Sequence, residues 1–377
     1  MSTHHGGKIT LKPISEMAKF QKNLIPANIS EDYELKPMFK KIAGEKEINK
    51  GVIAFRDFLY LFCDHLISDG HLYDKPPKNP SSMTDYPFLH NLTNLLVEMG
   101  YNSKLSKNGN SLLITKIPSC MAIIDEKGKK KNPKISSSSL IECIRFLNLC
   151  GFIFNGIDLE AKILDISKIK LEVLYPKNPI MLTGLKVMSV AEMELRTTRR
   201  YWNDNNLLRC DYRLIKKEDT DILDILKDFL HPLPKKIQNF ALKLHQHYTD
   251  MGMTCVMTIL GDVNFAYSFI NKSQKVLSPR DIYSLSLWQF SYSMRYGYCL
   301  IIRAKKTDKY LNIIEKFPLF LQDIIAKGYG CYRKLGNKHC QHDCQGIRIP
   351  LDNSIIDISK EIETWLDNEI SCSGRSK

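Results

Sequence analysis

The chain has 377 residues, of which 44% are hydrophobic and 10% aromatic. That is enough apolar material for packed cores in about two to three domains, and it excludes a chain that is disordered throughout. The formal charge of +13 suits acidic partners, either nucleic acid or an anionic metabolite. It suits a lysine-rich solvated surface as well, since charge alone does not specify a fold or a site.

Residues 1–30 are polar and weakly patterned and read as an extended arm. The opening MSTHHGGKIT holds no apolar run of the kind a secretory signal needs. Helices are expected near 34–43 and 51–69. The second carries Phe55, Phe58, Leu59, Phe62 and Leu66 at helical spacing. The run VIAFRDFLYLFCDHLI includes Arg56, Asp57 and Asp64, so it is too short and too charged to span a bilayer. In DKPPKNPSSMTDYP (74–87) four prolines forbid regular structure, which makes it a loop.

A helix is expected over 88–99, then a hairpin in YNSKLSKNGNSLLIT. Its turn is Asn108-Gly109, two residues that accept positive φ at low cost. The basic loop DEKGKKKNPKISSSS (125–139) ends in serines placed to cap a helix at 140–150. Short strands follow near 152–155 and 170–175. Asn178-Pro179 opens a helix that runs to about 196, and LLRCDYRLI (207–215) reads as a closing strand.

Helices are next expected near 219–230 and 235–250. MTCVMTIL, FAYSFIN, SLSLWQFSYSM and YCLIIRAK then form four strands, turned at Gly261-Asp262 and at Arg295-Tyr296-Gly297. One or two helices broken at Pro318 follow, and the amphipathic ISKEIETWLDNEI closes the pattern. Gly100, Gly151, Gly252 and Gly328 each stand where a helix should stop in the left-handed conformation. The expected architecture is α+β: a helical N-terminal segment (1–75) plus two mixed units (76–216 and 217–377). The C-terminal unit would be a four-stranded antiparallel sheet packed on helices.

Four groups of residues carry candidate chemistry. The first is GCYRKLGNKHCQHDC (330–344), where Cys331, His339, Cys340 and Cys344 supply a zinc-type ligand set, with His342 close by. The spacing is C-x8-C-x3-C rather than the C-x2-C of a zinc knuckle. A metal held by three cysteines and a histidine would be a structural zinc, since no position stays open for chemistry. Reduced structural thiols and a redox pair are the competing readings. The second group is the alternating aromatic set on two strands, from which Tyr267, Trp288 and Tyr292 would line a small-molecule pocket wherever helices leave a gap. Ala266, Ser268, Gln289, Ser291 and Ser293 have the opposite parity, so the aromatic face is the one expected to be covered by helices.

The third group is Arg199 and Arg200 in RTTRRYWN, where guanidinium forks adjoin stacking rings and suit an anion. A cationic helix C-terminus is the plainer reading. The fourth is Lys129, Lys130 and Lys131, a cluster that would meet phosphates but lacks the aromatics and arginines that read bases. His245 and His247 diverge on a helix, as do Cys63, Asp64 and His65. The phosphate-loop, dinucleotide, H-E-x-x-H and G-x-S-x-G patterns are missing from the sequence. The eleven cysteines fall mostly in apolar runs and read as reduced, buried thiols of a cytoplasmic protein.

Over PIMLTGLKVMSVAEMEL, LLRCDYRLI, HPLPKKIQNFALKLHQHY, EKFPLFLQDIIAKGYGCYRK and ISKEIETWLD, the chain resembles a family of uncharacterised bacterial cytoplasmic proteins of similar length. The likeness spans most of residues 90–370 and brings no activity with it. The C-terminal order of hairpins followed by Y…IIEKFP is also similar to small α+β domains of ligand-binding regulators, with a curved sheet over helices. That likeness concerns the fold, which does not fix function. The sequence leads to the expectation of a non-enzymatic cytosolic binding or regulatory protein with a small or anionic ligand and no membrane partner. The alternatives are nucleic-acid binding through 101–140 with Arg199 and Arg200, and a thiol enzyme using Cys331 or Cys340. Oligomeric state is left open.

Overall fold

The structure is a computed structural model that describes residues 12–74, 87–115, 137–158, 160, 171–195, 206–260, 262–269, 285–304, 306–327 and 346–372. The chain forms two compact units, Met1–Thr220 and Asp221–Lys377. Segments 1–75 and 76–216 thus belong to a single unit. Helices mix with antiparallel sheets throughout, an α+β arrangement. Among the described residues no helix is long and apolar enough to cross a membrane.

The first unit has five helices among its described residues: α1 (Ile14–Lys22), α2 (Glu45–Asp69), α3 (Pro87–Tyr101), α4 (Ser137–Leu149) and α5 (Met181–Glu194). Helix α2 starts with Glu45 and Glu47, carboxylates at the positive end of the helix dipole. It buries Phe55, Phe58, Leu59, Phe62 and Leu66 along the expected stripe. Helix α5 is buried on nearly every side, with Met181, Leu182, Leu185, Val187, Met188 and Ala191 all inaccessible. A helix apolar all round belongs at a centre. It crosses α2 where Gly51 meets Gly184. A Cβ on Gly184 would lie 2.0 Å from the Gly51 carbonyl oxygen and 2.7 Å from the Phe55 Cβ.

Beside the helices lies a small antiparallel sheet of β1 (Ser103–Leu105), β2 (Ser111–Ile114), β3 (Ile153–Asn155) and β4 (Glu172–Leu174), in the order β1-β2-β4-β3. Asn108-Gly109 turns the β1–β2 hairpin as expected, with Gly109 at φ +70°.

Three expectations for this unit need correction. The helix over 34–43 is a single 3-10 turn, Phe39–Lys41. LLRCDYRLI is not a strand: Cys210 takes φ +49°, and Tyr212–Leu214 forms another 3-10 turn. A left-handed residue cannot continue extended backbone. Gly100 is not a helix stop. It lies inside α3, where a Cβ would come within 2.1 Å of the Ser189 Oγ and 2.9 Å of the Leu185 carbonyl on α5. Gly151 and Gly252 do take the left-handed conformation, at φ +103° and +90°.

The second unit contains α6 (Ile222–Leu230), α7 (Lys235–Asp250) and one sheet. Its strands are β5 (Thr254–Leu260), β6 (Asp262–Ser268), β7 (Trp288–Ser293), β8 (Gly297–Ile302) and β9 (Ile347–Pro350). All neighbours are antiparallel, in sequence order. The expected sheet of four strands therefore has five. The fifth is a four-residue run ending in Pro350, which an edge strand tolerates. Ile347 and Ile349 bury its inner side. The helix Ser359–Cys372 closes the unit and buries Ile362, Trp365 and Leu366.

Candidate functional site

Alternation in NFAYS, WQFSYS and YCLIIR sends two different sets of side chains to the two faces of the second sheet. On one face Phe265, Tyr267, Trp288, Phe290, Tyr292, Leu300 and Ile302 are buried. Tyr267 and Trp288 are register partners and stack at 3.6 Å between centroids. Tyr292 stacks on Tyr298 at 3.9 Å. Phe229 of α6 packs on Phe265, and Tyr248 of α7 packs on Trp288. His245 Nδ1 lies 2.8 Å from the Tyr267 hydroxyl. Burial holds His245 below its ordinary value, against the pull of Asp221 and Asp250. The Cys255 thiol beside Tyr267 is pushed up to about 12, again by burial. Tyr267, Trp288 and Tyr292 thus stand in the helix-covered core.

The other face is polar, and it is buried too. In register across the sheet run Thr258, Asn264, Ser291 and Cys299, and beside them Ala266, Gln289, Ile301 and Arg348. Two of these side chains, Gln289 and Asn264, connect in series with Arg303. Its Nη2 donates to Gln289 Oε1 at 3.2 Å, and Gln289 Nε2 donates to Asn264 Oδ1 at 3.0 Å. Arg303 is 2% exposed, Gln289 1% and Asn264 5%. Ser268, Ser291, Ser293 and Thr258 are buried around them. Among the described residues the Thr258 Oγ1 and Ser268 Oγ have no hydrogen-bond partner. At the rim, the Arg348 guanidinium lies 4.4 Å from the Tyr296 ring centroid, with Arg295 at 5.1 Å. Burial pushes the Cys299 thiol up to about 11, partly offset by Arg348.

The donors of this face, two guanidiniums and the hydroxyls of Thr258 and Ser268, are of the kind that pair with an anionic or strongly polar group, and all of them but Arg348 are buried. The described thiols other than Cys372 do not suit nucleophilic work. Burial raises Cys63, Cys143, Cys150, Cys210, Cys255 and Cys299 above the ordinary thiol value, which leaves little thiolate at neutral pH.

The first unit offers a different surface. A cleft of about 890 Å³ beside the start of α2 is lined by Glu31, Asp32, Glu34, Glu45 and Glu47. Lys40 pairs with Glu34 and Glu45, and Lys217 with Glu34. Asn49 ties its rim, donating from Nδ2 to the Glu31 carbonyl at 2.7 Å. Lys46 also lines it, so its carboxylates are in part neutralised by lysines.

The remaining sequence candidates, Cys331, His339, Cys340, Cys344, Arg199, Arg200, Lys129, Lys130 and Lys131, lie outside the described residues. Among the described residues no group of three or more His, Cys, Asp and Glu is placed to hold a metal ion. The sequence reading passed over Asn264, Arg303 and Arg348. The signal was there in the polar parity of β6 and β7, continued by Arg303 beyond β8. Compared with protein-family models, curated proteins and solved structures, the chain matches none.

Proposed function

We propose that this is a non-enzymatic cytosolic binding or regulatory protein whose second unit recognises a small anionic ligand on the polar face of its five-stranded sheet. One observation carries the reading: the buried series Arg303–Gln289–Asn264 fixes a guanidinium among hydroxyls on a sheet face. A guanidinium held in place by a neighbouring amide is pre-organised to receive an anion through its remaining N–H groups. The chain's charge of +13 would also draw an anion toward the molecule. The plainer alternative is a polar seam that only fixes strand register.

The two readings differ in their response to anions. A ligand that binds only the folded state stabilises it by about 2.7 kcal/mol at a hundred times its dissociation constant. Thermal unfolding of the full chain is followed with inorganic phosphate, a dicarboxylate and a nucleoside monophosphate. Binding predicts an upward shift with at least one of them, and loss of that shift in Arg303→Met. A flat response to all three supports the seam and defeats the proposal.

A further inference from the structure

The five-stranded sheet has two edges of different character. β9 is four residues long, carries Arg348 and ends in Pro350. The sheet of the first unit has three-residue edges, β1 with Lys104 and β3. Short length, charge and proline are the devices that keep an edge from pairing with another chain. β5 has none of them. It is seven residues long and reads TCVMTIL, with no charge and no proline. Thr254 is exposed and Cys255, Val256 and Met257 are half-buried, whereas every residue of β7 is buried. Among the described residues β6 is the one strand paired with β5, so the outward backbone groups of β5 face away from the sheet.

We propose that β5 is a homotypic interface, pairing antiparallel with β5 of a second copy to make a continuous ten-stranded sheet. The strand is self-complementary. A twofold axis normal to the sheet through Met257 places Met257 opposite itself, Val256 opposite Thr258, Cys255 opposite Ile259 and Thr254 opposite Leu260. All seven residues are used. Residues of one parity oppose residues of the same parity, so the helix-covered and polar faces each continue across the junction. A slip of one residue would break that continuity. The uncharged edge also explains the choice of occupant: on a chain of +13, it is a place where two copies approach without opposing lysines. An edge pairing buries little area compared with a standard interface, so the dimer is concentration-dependent.

The test is sedimentation velocity of the full chain over a wide concentration range, with Met257→Lys and Met257→Glu variants. Wild type is expected to shift from monomer to dimer as concentration rises. Met257→Lys places two ammonium groups opposite each other at the axis, which is destabilising across strands, and should weaken dimerisation at least about tenfold. Met257→Glu should do the same. Mixing the two should restore association, because unlike charges then face each other. Restoration separates a lost interface from a lost fold. If either variant fails to fold, Thr254→Lys, with an exposed side chain, takes its place and should weaken the dimer. Wild type that stays monomeric at every concentration overturns the proposal, and so does a dimer that these substitutions leave unchanged.

Discussion

Replacing Gly184 by alanine tests the packing at the centre of the first unit. The new Cβ would stand 2.0 Å from the Gly51 carbonyl oxygen, 2.5 Å from its carbonyl carbon and 2.7 Å from the Phe55 Cβ. Two of these three atoms are backbone of α2, so no rotamer change relieves the clash. A tolerable contact begins near 3.0 Å, so the helices must part by about 1 Å. A gap of that size forfeits about a quarter to a half of each contact's dispersion energy across the seam. Overpacking of this kind costs about 1–3 kcal/mol or more, against roughly 1 kcal/mol gained from alanine's helix propensity. The clash is with backbone, so the overpacking cost sits toward the upper end of its range and the expected net loss is about 1–2 kcal/mol. Gly51→Ala is the internal comparison. Its Cβ would meet the Gly184 nitrogen at 2.8 Å and the Ile180 carbonyl oxygen at 2.9 Å, also inside the limit but by far less, so its cost should be the smaller of the two, about 1 kcal/mol. Urea unfolding followed by circular dichroism measures both. A Gly184→Ala protein within about 0.5 kcal/mol of wild type, or a Gly51→Ala protein that is the weaker of the two, would mean that α2 and α5 are not packed this tightly at Gly184.

Other outcomes follow from single features. Gly252 has open space around it but sits at φ +90°, so Gly252→Ala should cost about 1–2 kcal/mol by backbone strain alone, again read by urea unfolding. Arg303→Met leaves Gln289 Oε1 without its guanidinium donor and should destabilise the second unit by about 1–3 kcal/mol in the same assay; a neutral result would mean the series is not closed as described. Burial holds His245 below its ordinary 6.5. As pH falls the unfolded chain therefore takes up its proton first, so stability is full above about pH 6.5 and declines as pH drops through the lowered value. His245→Gln should flatten that decline in a pH series of melting temperatures. Alkylation mapped by mass spectrometry at mildly alkaline pH should reach Cys63, Cys143, Cys210 and Cys299 only after unfolding, since all four are buried.

The parts of this fold that were legible in the sequence rest on local signals. The stripe from Phe55 to Leu66 marks α2, Asn108-Gly109 marks a hairpin, and the alternating aromatics mark β6 and β7. The parts that were missed depend on partners remote in sequence. Nothing near Gly184 announces that Gly51 lies against it, and Gly100 looks like a stop until Ser189 is seen beside it. Cys210 interrupts what reads as an extended run because it turns toward α2, where its Sγ lies 3.7 Å from the Val52 carbonyl. β9 escaped because four residues ending in proline carry too little pattern. The candidate site was half visible. Polar parity gave Gln289 and Ser291 a common face, but burial of that face is a tertiary fact. Arg303 and Arg348, which give it a charge, come from β-strand neighbours far apart in sequence.

Hydrogen–deuterium exchange with and without millimolar inorganic phosphate reads the proposed anion site on the polar sheet face. A bound anion should slow exchange in β6, β7 and the segment through Arg303, and the slowing should be absent in Arg303→Met. Protection confined to the first unit, or none anywhere, would contradict that site.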